Sequence, residues 1–353
     1  MKDREYYRVI NASAPIRVCD IGGWTDTWFA EYGTVLNIAV YPFVEAQVFV
    51  FKRQPNVEQI TVHAENYAES FSFDQEKLVV EGQHALLKAA FSWMKIPDDV
   101  AVEVHLYSSA PAGASTGTSA AVSIALIGVL DTLTPGRLST YDVARTAQRL
   151  ETEVLGLQCG IQDQLCSAFG GLNYIQMHKY PDAAVSTIHL PRNLWWELER
   201  RILVVFLGDA HVSSEVHRQV IAGFEESGPD DPRLVKLRAL ACQAKDALCK
   251  GDYGEFSRIM NANTEVQRSM HTSIVSAKAD AIMAFAREHG AIGAKLNGAG
   301  GNGGSITFFF GASNSRRRQF SASLGEEFEG ARVLPVHLSE HGLRVWDTNP
   351  QHC

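Results

Sequence analysis

The hydrophobic positions along the chain fall into short alternating runs and longer helical ones. Ala101 to Tyr107, "AVEVHLY", alternates apolar and polar residues and predicts a half-buried strand. Val35 to Phe51 is dense in β-branched and aromatic residues, with Pro42 inside it, and predicts paired strands in an N-terminal sheet. Ser119 to Leu130 is apolar almost all round, the pattern of a helix buried on most faces, and Asp131 to Arg137, with Pro135 and Gly136, should turn the chain. Thr140 to Leu155 is amphipathic and helical. "GLQCGIQDQ" interrupts it before Leu165 to Phe169 resume an apolar pattern, and "GGLNYIQM" reads as a strand entered by two glycines. Further on, Arg200 to Ala210 supplies a strand, helices run from about Ser214 to His289, and Ser305 to Phe310 and Arg332 to Leu338 are the last strand candidates. The weakly patterned "HKYPDAAVSTIHLPRN" separates the halves, so domains 1–190 and 191–353 are expected, the second mixing helices with an antiparallel sheet.

Composition narrows the partners. A chain of 353 residues, 46% hydrophobic and 20% charged, is long enough for two ordinary domains. The net charge of −8, without a long basic run, argues against nucleic acid and anionic membranes and towards small molecules. The first residues lack a signal-peptide core and no window reaches eighteen apolar residues, so a cytoplasmic protein is expected. The six cysteines show no C-x-x-C spacing and read as reduced, packing thiols.

Two glycine-rich stretches raise the question of a nucleotide. "KLNGAGGNGGSITFFF" contains Gly298-x-Gly300-x-x-Gly303, the bare fingerprint of a dinucleotide turn, which needs a strand before it and a helix after it. Ile282 to His289 reads as a helix end and Ser305 to Phe310 as a strand, so the order is reversed and neither NAD nor a flavin is expected. "SSAPAGASTGTSAAVSIALIGVL", Ser108 to Leu130, is more informative. Small residues run directly into the buried helix, presenting exposed N–H groups, the positive end of a helix dipole, and hydroxyls from Ser115, Thr116, Thr118 and Ser119 to an anion. No lysine lies in the segment, so it is not a Walker loop; the alternative is a small-residue helix start packed on a sheet.

"PAGASTGTSAA" resembles the second motif of the GHMP kinases (galactokinase, homoserine kinase, mevalonate kinase and phosphomevalonate kinase). "APIRVCDIGGWTDT" resembles their first motif and "KLNGAGGNGGSITFFF" their third, in family order over nearly the whole chain. "LETEVLGLQCGIQDQLCSAFGGLN" is similar to the matching stretch of sugar 1-kinases, above all those of D-glycero-D-manno-heptose 7-phosphate, then fucokinases and galactokinases. The resemblance implies an α+β, two-domain GHMP kinase fold, with an N-terminal ribosomal-protein-like α/β domain and a ferredoxin-like α+β C-terminal domain. It implies ATP and Mg2+ as cofactors and a sugar or sugar phosphate as substrate, and leaves room for a homodimer. A catalytically silent sensor on the same fold, and an RNA-binding use of the N-terminal domain, are the alternatives in other classes.

By the same resemblance Asp163 is the catalytic base and Arg17 the arginine beside the base and the transferred phosphoryl group. Helix N-cap and surface arginine are their alternatives. The ATP phosphates fall to Pro111, Gly113, Ala114, Ser115, Thr116, Gly117, Thr118, Ser119 and Gly300, and Mg2+ to Ser119 and Glu151, with Glu153 as the competing carboxylate. Ser115 stands where the family usually has glycine, so the loop is expected to take a slightly different path. Asp26, Gly23 and Trp24 would meet the sugar, with plain core as Trp24's alternative and Asp20 as a further polar candidate. A phosphate at the far end of the sugar would be gripped by His211, Ser213, Ser214, His217 and Arg218, with Arg268 and His271 added; an ordinary helix start is the alternative for the first five.

Overall fold

The computed structural model describes residues 5–208, 220–224, 227–301 and 303–348. The first strand, Arg8–Ile21 (β1), pairs antiparallel with Gly33–Lys52 (β2) along most of its length. The Val35 to Phe51 stretch is therefore one long strand, not a pair. Tyr41 and Pro42 fall at the register shift opposite Pro15 and Ile16, where a residue without an N–H breaks no regular ladder bond. Beyond β2 lie Ile60–Ala64 (β3) and Glu69–Phe73 (β4), reached through Val100–Ser108 (β5), while Leu172–Lys179 (β6) pairs along the other part of β2 and Asp182–Ile188 (β7) pairs with β6. β7 was illegible in the pattern because its alternating residues are small and polar.

Helices cover this sheet. Ala85–Met94 (α1) and Thr118–Asp131 (α2) lie against it, with Ile124 to Leu130 wholly buried on α2, as its all-round apolar sequence predicts. Thr140–Arg149 (α3) starts at a capping box between Ser139 and Asp142 and runs into a π turn, Leu150–Val154, before Gln162–Phe169 (α4). The second sheet is antiparallel, in the order Arg332–Leu334, Ile202–Phe206, Ser305–Phe310, Ala291–Leu296. In chain order these are β11, β8, β10 and β9. Around it pack Arg192–Arg201 (α5), Tyr253–Met270 (α7), Ala277–Glu288 (α8) and Asn314–Glu327 (α9), while Pro232–Lys250 (α6) lies between α7 and strands β1 and β2 of the first sheet. None of the described helices is long and apolar enough to cross a membrane.

The last predicted strand divides. Pro335 follows β11, and the chain then leaves the second sheet: His337–Leu338 (β12) pairs with β2 and Arg344–Thr348 (β13) with β1. Residues 191–353 thus contribute to both layers, a pairing between chain ends that no local pattern announces.

Candidate active site

A regular strand would send residues 17 and 20 to opposite faces. The register shift between Val18 and Ile21, with Cys19 at φ 56°, breaks the alternation, and Arg17 and Asp20 are both buried within each other's field. Arg17 Nε donates to Asp163 Oδ1 at 2.7 Å and Nη2 to Oδ2 at 3.2 Å, a two-point pair that fixes the carboxylate plane. Burial opposes the charge on Arg17, but Asp163 and Asp20 outweigh it and raise its pKa. Asp163 is not an N-cap: Ile161 holds that position, and Asp163, in the first turn of α4, keeps 28% of its side chain exposed.

The phosphate loop closes over this pair. Gly113, Ser115 and Gly117 have φ of 73°, 55° and 70°. Ser115 thus holds a left-handed conformation, the one that favours glycine. A β-carbon on Gly117 would lie 3.1 Å from the Asp163 carboxyl and 3.3 Å from Arg17 Cγ, so the start of α2 and the Arg17–Asp163 pair touch. Gly117 brings no capping side chain and no acid stands in the first turn, which leaves the N-terminus of α2 open to an anion. Ser119 is exposed there, and the loop is braced from below by the Arg17 N–H on Thr116 O at 2.9 Å and by Ser305 Oγ on Ala114 O at 2.6 Å.

The third glycine stretch packs on the loop from the other domain. It joins β9 to β10, so a strand and not a helix precedes it; the strand "AIGAKL" was hidden by its glycine and lysine, and the antiparallel strand that follows is what excludes a dinucleotide turn. Gly298 and Gly304 face Ser115: β-carbons there would approach its side chain to 3.1 and 2.9 Å. Gly300 does something else. A side chain at Gly300 would overlap the Ile274 carbonyl and lie 2.5 Å from Leu296, so this glycine serves close packing inside the second domain. Lys295, fully buried, meets Asp20 at 3.2 Å, and Gly298 N–H adds a bond to the same carboxylate. Burial disfavours the Asp20 charge, yet Lys295, Arg17 and Gly298 hold its carboxyl below the usual range. Asp20, proposed as a sugar contact, is therefore occupied by the domain junction.

The acidic side of the site is built from buried carboxyls. Glu151 turns inward from the π turn, while Glu153 faces solvent in an ion pair with Arg149. Burial pushes the Glu151 carboxyl up to about 7, against a hydrogen bond from Gln164 Nε2 at 2.7 Å; the Gln164 Oε1 is buried without a partner among the described residues. A desolvated carboxyl beside an orphaned amide oxygen is a donor set that suits a hard cation such as Mg2+. Asp26 accepts the N–H groups of Ile161 and Gln162 at 3.0 and 3.1 Å, capping α4 from a distant segment, and burial raises it to about 6. It needs Gly160, since any β-carbon there would overlap the carboxylate.

Comparison with known proteins identifies the family. The GHMP kinases N terminal domain matches residues 78–171 and the GHMP kinases C terminal domain residues 244–330, together a little over half of the chain. The chain belongs to the GHMP kinases. The D-glycero-alpha-D-manno-heptose 7-phosphate kinase of Campylobacter jejuni is 24% identical over 96% of this chain and 99% of its own. The mevalonate kinase of Thermococcus onnurineus is equally distant, 24% with the same coverage. Among solved structures, a D-glycero-D-manno-heptose 1-phosphate kinase from Bacteroides thetaiotaomicron superposes with a TM-score of 0.73 at 24% identity, covering 96% of this chain and 98% of its own. Lactococcus lactis galactokinase with galactose gives 0.72 at 16%, covering 97% and 95%. Kinases of this family take their phosphoryl group from ATP.

Other expected residues of this GHMP kinase are placed less centrally. Gly23 packs against Asp20 and Gln162, and Trp24 is buried at a φ of 79°. Arg268 is engaged by neighbouring carboxylates, Asp280 at 2.6 and 2.8 Å and Glu265 at 3.3 Å, and His271 bonds Ser273. His211, Ser213, Ser214, His217 and Arg218 lie outside the described residues. Three residues that fasten the domains were missed, namely Lys295, Asn263, which accepts the Gly22 N–H at 2.8 Å, and Asn297, which accepts that of Cys19 at 2.9 Å. For Lys295 and Asn297 the only local signal is a lysine and an asparagine at the end of an apolar run that leads into glycines, and for Asn263, inside α7, there is none.

Proposed function

We propose that this GHMP kinase phosphorylates the anomeric C1 hydroxyl of a sugar with ATP and Mg2+, its substrate being D-glycero-D-manno-heptose 7-phosphate and its product the 1,7-bisphosphate used for activated heptose and surface polysaccharide. The observation that carries the reading is the two-point Arg17–Asp163 pair in contact with Gly117 at the open end of α2. A part-exposed carboxylate whose plane is fixed beside an anion site suits a base that takes the proton of a hydroxyl while that oxygen accepts a phosphoryl group. Arg17 positions the base and adds positive charge beside the equatorial oxygens, while the loop N–H groups and the α2 terminus hold the phosphates. Mg2+, when bound near Glu151 and Ser119, neutralises charge on the phosphates.

A free sugar, as in fucokinases and galactokinases, is the second reading. It is supported by the engagement of Arg268 with Asp280 and Glu265, which takes one cation away from a distal phosphate. An ADP-release screen over heptose 7-phosphate, fucose, galactose, glucuronate and mevalonate separates these. Turnover confined to the heptose phosphate is expected; turnover of fucose or galactose moves the assignment to the free sugar, and no turnover with any sugar refutes it.

A further inference from the structure

Away from the cleft, the parallel pairing of β3 and β5 sets His63 directly beside His105 and Thr61 beside Glu103. Glu103 and His105 are two residues apart on β5 and share a face. Their neighbours Val102, Val104 and Leu106 point the other way into the core, so the two histidines and the glutamate stand on the side turned from it. The imidazoles stack with centroids 4.5 Å apart. His63 Nε2 and His105 Nε2 lie 3.2 and 3.1 Å from the same oxygen of Glu103, and the three atoms fall within 4.8 Å of one another. Each ring is also held from behind, His63 Nδ1 by Ser70 Oγ at 2.7 Å and His105 Nδ1 by Glu65 Oε1 at 3.2 Å.

If both Nδ1 atoms carry their protons towards Ser70 and Glu65, two nitrogen lone pairs and a carboxylate converge on one point with no hydrogen between them. Only a cation, or added protons, relieves that convergence. Backing of the distal ring nitrogen by a carboxylate or hydroxyl is how ligating histidines are oriented. A tetrahedral site with bonds of roughly 2.0–2.1 Å has edges of about 3.3–3.4 Å between ligand atoms, close to the two separations found. We infer that His63, Glu103 and His105 form a binding site for a divalent transition metal of the zinc class. Its two nitrogen donors set it apart from the oxygen-only chemistry that Mg2+ prefers. The side chains are 26, 34 and 31% exposed, so an ion reaches them from solvent. The site adjoins the phosphate loop: next to Glu65, Asn66 clamps both backbone groups of Ser108, from which the loop departs. A bound ion fastens β3, from whose end that turn leaves, to β5.

Equilibrium dialysis of the full chain against zinc chloride, in buffer without phosphate or chelator, tests the site. One equivalent is expected for the wild type. His63→Ala and His105→Ala should each bind at least tenfold more weakly, and zinc should raise the unfolding temperature of the wild type more than that of either histidine variant. Glu65→Gln, which leaves all three ligands in place, should weaken binding about tenfold by releasing the His105 ring. This conservative variant keeps the test decisive if a histidine variant does not fold. Absence of bound zinc in the wild type, or undiminished binding in the variants, overturns the assignment.

Discussion

Two ion pairs begin three residues apart on β1 and behave differently. Arg17 meets Asp163, which remains 28% exposed, whereas Asp20 meets Lys295 with both side chains sealed, at 1 and 0%. The first pair joins two elements of the N-terminal domain beside an open helix end; the second joins the two domains. An ion pair with one face in solvent can exchange a partner or a proton during a reaction, while a sealed pair fixes geometry and is costly to break. The same strand thus supplies both the reacting group's partner and the bolt that holds the second domain against the loop.

Substitutions on each side test this contrast. Asp163→Asn should lower kcat by at least ~100-fold, the scale of losing a positioned base, while nucleotide binding measured by calorimetry persists. Near-normal turnover would remove the assignment. Lys295→Met leaves the Asp20 carboxylate buried without its lysine and should cost about 3–5 kcal/mol in denaturant unfolding, more than Asp163→Asn costs. If the order is reversed, the division between a working pair and a sealed pair fails. The smallest effect is expected at Glu151. Its folded-state pKa of about 7 lies above the ordinary 4.5, so the folded state retains a proton that the unfolded chain has lost between those values. Stability is favoured below pH 4.5 and declines as pH rises towards 7, by up to about 3 kcal/mol. Glu151→Gln should flatten that slope in unfolding measured across pH, and an unchanged slope would assign it to other groups.

Much of the working side was readable from the chain because it depends on local rules. The buried α2 follows from its apolar residues, the glycine-rich start of that helix from its spacing, and Asp163 and Arg17 from stretches that resemble family motifs. The holding side was opaque. Asp20 and Lys295 are 275 positions apart, and nothing near either one names the other. Gly300 and Gly304 look alike in sequence, yet one packs on Ile274 and the other on Ser115. Arg268 reads as a free cation until Asp280, on the next helix, is placed beside it. Asp26 looks like a ligand for a sugar and is spent largely on the backbone start of α4.

The return of the tail has a mechanical consequence. The backbone passes between the layers twice, through α5 and again between β11 and β12, and Glu199 of α5 accepts the Leu338 N–H at 2.8 Å, lacing the two passages together. Across the interface the layers are bolted by Lys295 and stitched by Asn263 and Asn297. Separating the two layers therefore means breaking the sealed Lys295–Asp20 pair and these backbone-anchoring amides together, not one contact at a time.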